Sequence, residues 1–168
     1  MDLLDFEGQD MYFHTALPDG VAELINEASE NPRDPAAEAP LLKAYAMAPD
    51  SLQVLVALYR HYFYSHKMDE ALEIGERAIT ASLKALDLGD DWRTLGDNHL
   101  TAKAGEDMPT VRFLLMALKG TGYIQMRRDA LHDALDRFAK IQQFDTADRL
   151  GTTALSALAR DALQQTGE

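Results

Sequence analysis

Apolar residues recur along most of this chain at spacings of three and four positions, which is the period of an amphipathic α-helix. The predicted helices cover roughly residues 21–28, 36–46, 52–64, 69–86, 110–126, 130–144 and 149–164. No stretch alternates apolar and polar residues for long enough to form a strand. The pattern therefore predicts an all-α protein built from antiparallel helical hairpins with short turns.

Two segments depart from this period. Residues 1–17 combine acids with scattered large apolar residues, and either a docked helix or a projecting arm fits them. Residues 87–109 are rich in Gly, Asp and Asn, which favours a long insertion loop with room for a short helix around residues 92–95. We predict that both segments belong to a single domain spanning residues 1–168.

An internal repeat is visible in two segments that superimpose, residues 62–72 and residues 125–135. In the first unit, small residues, Ala71 and Ala78, stand where two helices must approach closely. In the second, Gly122, Ala134 and Phe138 occupy the matching pattern. Both units resemble the tetratricopeptide repeat. The first unit departs from the repeat because Tyr59 fills its glycine position, and the second because Ile141 fills a small position.

A weaker unit precedes these two, and a lone helix with Leu155 and Ala159 follows them. The resemblance therefore implies an all-α fold of about two to three tetratricopeptide repeats with a C-terminal capping helix. The two good units stand further apart than the usual spacing of about 34 residues. The insertion at residues 87–109 accounts for the difference.

The charge is strongly acidic and unevenly distributed. The formal net charge is −12, to which residues 1–50 contribute −9 (11 acids, 2 bases), residues 51–110 contribute −4 (10 and 6) and residues 111–168 contribute +1 (7 and 8). Such a body repels phosphates, so we expect neither nucleic acid nor an anionic membrane as partner. The acidity either maintains solubility or presents an acidic N-terminal face to a basic patch on a partner.

The chain contains no cysteine, which excludes disulfides and thiolate chemistry. Its first residues lack the basic charge of a signal peptide, and its longest apolar run is too short to span a bilayer. We predict a cytoplasmic protein.

Catalytic and cofactor-binding motifs are missing from the sequence. There is no H-E-x-x-H, no nucleophile elbow and no phosphate-binding loop, and no two histidines are spaced i, i+4. We predict no catalytic residue, no metal and no cofactor, with a small enzyme of unknown reaction as the remaining alternative.

The tetratricopeptide resemblance implies that the first helix of each hairpin lines a groove for a protein partner. Aromatic, Met and Arg side chains are typical of such interfaces. The candidate partner-binding residues are Arg60, Phe63, Tyr64, Lys119, Tyr123, Met126 and Arg127. Gln53 and Val56 are also expected on the groove side. The alternative is that Phe63, Tyr123 and Met126 pack against the insertion or the N-terminal segment. Trp92 in the insertion is either a further partner contact or an anchor that folds the insertion back onto the body.

A second resemblance concerns function. The runs at Leu58–His66 and Asp91–Arg93 are similar to those of small nitrogenase-associated accessory proteins of diazotrophic proteobacteria. This resemblance implies an adaptor or stabilising factor that binds the molybdenum–iron protein of nitrogenase in an immature, damaged or altered state. A type III secretion chaperone for a secreted partner is the alternative, although the insertion and the weak first unit fit it poorly.

Overall fold

A computed structural model describes residues 15–167, and all regular structure in that range is helical. The helices are α1 (Val21–Ser29), α2 (Glu38–Met47), α3 (Leu52–Tyr64), α4 (Met68–Ala85), α5 (Asp97–Glu106), α6 (Met108–Arg127), α7 (Leu131–Phe144) and α8 (Thr152–Thr166), with 3-10 turns at Pro35–Ala37 and Trp92–Thr94. The all-α prediction is confirmed for these residues. Most of the predicted acidic segment 1–17, namely residues 1–14, lies outside them.

The helices pack mainly in chain order. α1 lies on α2, α3 on α4, and α6 on α7, while α4 contacts α6 and α7 contacts α8. The core between them contains fully buried rings, Tyr59, Phe113 and Phe138. Ser156 and Ala159 of α8 are also buried, so this helix covers the end of the stack. Within the described part of the chain, no helix combines the length and the apolar character that crossing a bilayer requires.

The turns after α3 and α6 have the same backbone geometry. His66 and Asp129 occupy equivalent positions in the two superimposed segments, and both adopt left-handed φ angles of 59° and 60°. In each turn the residue that follows donates its N–H to a carbonyl five residues earlier, at 2.9 and 3.0 Å. The internal register read from the sequence is therefore present in the backbone.

A ring lies on a glycine at the crossing of each hairpin. A Cβ atom added to Gly122 of α6 would lie 2.7 Å from the ring of Phe138 on α7. In the α3–α4 hairpin the arrangement is reversed, because Tyr59 is on the first helix and Gly75 on the second, 3.5 Å from that ring. Gly75 also faces Thr121 of α6, whose methyl group would lie 2.5 Å from an added Cβ. These glycines allow the close approach of α3 to α4, α4 to α6 and α6 to α7.

The prediction of a long loop at residues 87–109 is wrong. The segment contains the ten-residue helix α5, and α6 already begins at Met108. Gly96, Asp97 and Asn98 suggest a turn, but such residues are also favoured where a helix begins. Leu100 and Ala104 then follow at helical spacing, with Leu100 buried in the core.

Side-chain caps start two of the helices on the predicted binding face. Ser51 Oγ accepts a hydrogen bond from the Val54 N–H before α3. Asp107 accepts from the Thr110 N–H at 3.2 Å and begins α6 two residues earlier than expected. α4 begins at Met68, one residue before the predicted start, with no side-chain cap, and Asp69 lies inside its first turn, where a negative charge is favourable.

Candidate functional site: the α3–α6 face

α3 and α6 run side by side in the same direction. Gln53 of α3 and Thr110 of α6 line one cavity near the start of both helices, and Phe63 and Tyr123 are in contact near their ends. The half-buried and exposed positions of these two helices therefore form one surface, called here the α3–α6 face. The prediction that Val56 lines the groove is wrong, because its side chain is buried in the core.

The structure places seven of the eight candidate residues on this face. Six are half-buried and Arg127 is exposed, so each presents part of its side chain at the surface. The seven are Arg60, Phe63, Tyr64, Lys119, Tyr123, Met126 and Arg127.

Five of the seven candidates, joined by Arg33 from the loop after α1, form a continuous aromatic–arginine ladder. Tyr64 lies between two guanidinium groups, with Arg33 at 5.6 Å and Arg60 at 5.9 Å from its ring centroid. The Tyr64 ring meets Phe63 edge-on at 5.8 Å. On the other helix, Arg127 lies 5.9 Å from the Tyr123 centroid and donates a hydrogen bond to its hydroxyl at 3.2 Å. The ladder comprises Arg33, Arg60, Tyr64, Phe63, Tyr123 and Arg127.

Phe63 connects the ladder to the core. Its ring stacks on the fully buried Tyr59 at 5.9 Å and is tilted against Tyr123 at 6.1 Å. Such contacts fix the positions of both rings without removing them from the surface. The ladder is therefore held in place before any partner arrives.

The sequence analysis missed the continuation of this surface along α6. Met108, Arg112 and Leu115 precede Lys119 and Tyr123 at spacings of three and four residues, so they lie on the same side of the helix. We call the row formed by Met108, Arg112, Leu115, Lys119, Tyr123, Met126 and Arg127 the α6 stripe. Extending the helical period backwards from Lys119 was the signal that could have revealed it.

An apolar cavity of about 180 Å³ lies at the first half of the α6 stripe. Its apolar lining residues are Met108, Leu115, Phe144 and Leu150, and its charged lining residues are Arg112, Asp145 and Arg149. Phe144 ends α7 and Leu150 precedes α8, so this cavity depends on the packing of α6, α7 and α8 together.

The charge of the α3–α6 face is opposite to that of the whole chain. Neither α3 nor α6 contains any of the 28 acidic residues, yet the two helices carry four cations, Arg60, Arg112, Lys119 and Arg127. Burial explains why few charges occupy their inner sides. It does not explain why every charge retained at the surface of these helices is positive.

Trp92 does not belong to the α3–α6 face. It is 5% exposed, and Arg93 and Arg137 lie 4.4 and 5.4 Å from its ring centroid. Lys140 of α7 also donates hydrogen bonds to the backbone carbonyls of Arg93 and Leu95 at 3.0 and 2.8 Å. Of the two roles expected for this residue, the structure supports the anchor, since a buried ring offers little surface to a partner.

A titratable cluster lies elsewhere, between α2 and the turn after α3. Glu38 accepts hydrogen bonds from Lys67 at 2.6 Å and Tyr62 at 3.4 Å, and His61 lies 4.0 Å away. The hydrogen bond from Lys67 is the main reason that the pKa of Glu38 is lowered, while burial followed by the Glu38 charge raises the pKa of Tyr62 to about 12. The cavity beside His61 is only about 10 Å³, so it has room for a water molecule and not for a substrate.

The cluster around Glu38 should make the protein more stable at neutral pH than in acid. Since folding lowers the Glu38 pKa below its ordinary value of 4.5, the carboxylate stabilises the fold above that pH. The stabilisation is lost as pH falls through the lower, folded pKa. We expect urea unfolding to show Glu38→Gln less stable than wild type at about pH 7, with the difference shrinking below about pH 4. A difference that stays constant down to about pH 3 would contradict this assignment, and Glu30→Gln, at an exposed site after α1, is the control.

Metal-binding geometry is not found in the described range: within residues 15–167 no three His, Asp or Glu side chains cluster closely enough to hold a metal ion.

These features describe an all-helical protein of stacked hairpins with one cationic, aromatic face. The chain is 37% identical over 155 residues to the "Uncharacterized 19.8 kDa protein in nifW 5'region" of Azotobacter chroococcum mcd 1, a match that covers 92% of this chain and 86% of that protein. The chain belongs to the same family as that protein. No family model and no solved structure matches it.

Proposed function

We propose that this protein is a non-enzymatic adaptor or stabilising factor of the tetratricopeptide type, which binds a protein partner through its α3–α6 face and serves nitrogen fixation. The observation that carries the proposal is the aromatic–arginine ladder. Tyr and Arg are the side chains that most often dominate the energy of protein interfaces, and here they are already ordered by one another.

Three features support the tetratricopeptide assignment. The turns after α3 and α6 are equivalent in sequence register and in backbone conformation. Each hairpin crosses at a glycine covered by a ring. The first helices of the two hairpins lie side by side, as they do in repeats that stack to form a shared binding surface.

The proposed partner is the nitrogenase molybdenum–iron protein in an immature or altered state. The relative in Azotobacter chroococcum is named for its place beside nifW, which ties it to a nitrogen-fixation gene region. The resemblance of Leu58–His66 and Asp91–Arg93 to nitrogenase-associated accessory proteins points to the same partner.

Replacing Tyr123 or Arg127 by alanine should weaken partner binding about tenfold or more, because each removes a surface side chain from the middle or end of the ladder. Binding would be measured by biolayer interferometry with the full-length protein and purified molybdenum–iron protein, both as isolated and lacking its cofactor. Melting temperatures should change little, since both side chains are partly or fully accessible.

The matched control is Arg160→Ala at an exposed position of α8, which should leave binding unchanged. Absence of binding to both forms of the molybdenum–iron protein would contradict the proposed partner. Unaltered binding by Tyr123→Ala and Arg127→Ala would contradict the proposed surface.

A further inference from the structure

The charge of the α3–α6 face restricts the chemistry of what it can bind. The protein has a formal net charge of −12, so a negatively charged molecule is repelled from most of its surface. α6 departs most from this acidic charge among the helices of the face, since its 20 residues include three cations and no acid. Arg112, Lys119 and Arg127 are separated by seven and eight positions, which places them along one side of the helix over about 22 Å.

Apolar side chains alternate with these cations. Leu115 lies between Arg112 and Lys119, and Tyr123 and Met126 lie between Lys119 and Arg127. A ligand that matches the α6 stripe must therefore present carboxylates and large apolar groups in alternation. An amphipathic acidic peptide segment has this pattern, whether it binds as a helix or as an extended chain.

The cavity at the start of the stripe fits a single side chain. Its volume of about 180 Å³ is smaller than the roughly 300 Å³ at which sites for small-molecule ligands usually begin. Its apolar lining residues are Met108, Leu115, Phe144 and Leu150, and Arg149, which also lines it, is exposed. The Asp145 carboxylate lines it too, but accepts hydrogen bonds from the Arg149 and Leu150 N–H groups at 3.0 and 2.7 Å. An aromatic or branched aliphatic residue can enter such a cavity while a neighbouring carboxylate meets Arg149.

We propose that the α6 stripe binds an acidic segment of the partner protein, whose carboxylates pair with Arg112, Lys119 and Arg127 and whose apolar residue enters the cavity beside Arg149. This inference rests on the proposed function, because it names the chemistry of the partner that the same face recognises. It does not depend on which protein supplies the segment.

The test uses the full-length protein and a fluorescent random copolymer of glutamate and tyrosine in a four-to-one ratio. At low salt, about 50 mM, fluorescence anisotropy should show saturable binding of this copolymer, and binding should weaken steeply as salt rises. Polyglutamate without tyrosine should bind about tenfold more weakly, because it lacks an apolar group for the cavity.

Charge reversal at Arg127, at the end of the stripe, and at Arg149, which lines the cavity, locates the site. Arg127→Glu combined with Arg149→Glu should weaken copolymer binding at least about tenfold, whereas Arg160→Glu combined with Lys43→Glu makes the same change in net charge at exposed sites off the face and should have little effect. An equal loss for both double variants, or no binding by wild type, overturns the proposal. Equal affinity for a thymidine oligonucleotide also overturns it, because the site would then recognise any polyanion.

The proposed function and the acidic-segment inference are contradicted by different results. If the copolymer does not bind but the molybdenum–iron protein does, and Tyr123→Ala weakens that complex, the partner segment is not acidic while the binding function stands. If the copolymer binds at the stripe and the molybdenum–iron protein does not, the acidic-segment inference stands and the assigned partner is wrong.

Discussion

Replacing Trp92 by alanine is expected to lower the free energy of unfolding by about 3–5 kcal/mol, the usual cost of removing a large buried aromatic side chain. The indole is 5% exposed and lies between the guanidinium groups of Arg93 and Arg137. Its loss would leave a cavity at the junction of the insertion with α7, and Arg137 would lose the ring that covers it. Chemical denaturation followed by circular dichroism measures the effect.

Trp92→Phe is the matched control for this substitution. Phenylalanine keeps an aromatic face for the two arginines and most of the apolar area, so we expect a loss below about 2 kcal/mol. Hydrogen exchange should show the largest loss of protection in α5, which the anchor holds against α6 and α7. A loss below about 1 kcal/mol for Trp92→Ala would show that the insertion is held mainly by Lys140 and Leu100.

Glu76→Ala is expected to destabilise the protein by about 3 kcal/mol, more than the replacement of its buried partner. Arg137 has a side chain only 5% exposed, and its Nη2 donates to Glu76 at 2.7 Å, while Glu76 itself is 41% exposed. Removing the acid leaves a cation in the interior with only the Thr121 hydroxyl, at 3.1 Å, and the Trp92 ring to stabilise it. Removing the cation leaves an acid that water can reach.

Arg137→Met should therefore cost less, within about 2 kcal/mol, because methionine fills much of the same volume without a charge. Glu73→Ala is the positional control: it lies on the same helix, is 70% exposed and forms a surface pair with Arg77 at 3.8 Å, so its loss should cost at most about 0.5 kcal/mol. Thermal and urea unfolding of the three variants test this order. If Arg137→Met proved more damaging than Glu76→Ala, packing of the arginine stem would outweigh the buried charge.

The helical period located most helices to within a few residues because apolar spacing directly reflects which side of a helix is buried. It could not locate α5, because the polar residues at the start of this helix, Gly96, Asp97 and Asn98, are typical of a turn. Only the structure shows that Leu100 is buried in the core. The helical period also could not show that the ring is on the first helix in one hairpin and on the second helix in the other. Tyr59 breaks the repeat pattern in the first hairpin, yet Gly75 on the opposite helix restores the close crossing.

Only part of the candidate site, likewise, could be predicted from the sequence. Residues of one helix, such as Lys119, Tyr123 and Arg127, could be assigned to one side from their spacing alone. Arg33 and Arg149 could not, because they come from connecting segments whose position depends on tertiary packing. The role of Trp92 could not be decided either, since a lone tryptophan in a polar segment gives no sign of whether its ring faces the core or a partner.

The distribution of charge between first and second helices has a consequence for how the molecule approaches others. α4 carries four acids and two cations, while α3 and α6 carry only cations. This separation places an electric dipole between α4 and the α3–α6 face. In the field of an acidic surface, that dipole turns the molecule so that α3 and α6 lead, which raises the fraction of encounters that begin in a productive orientation.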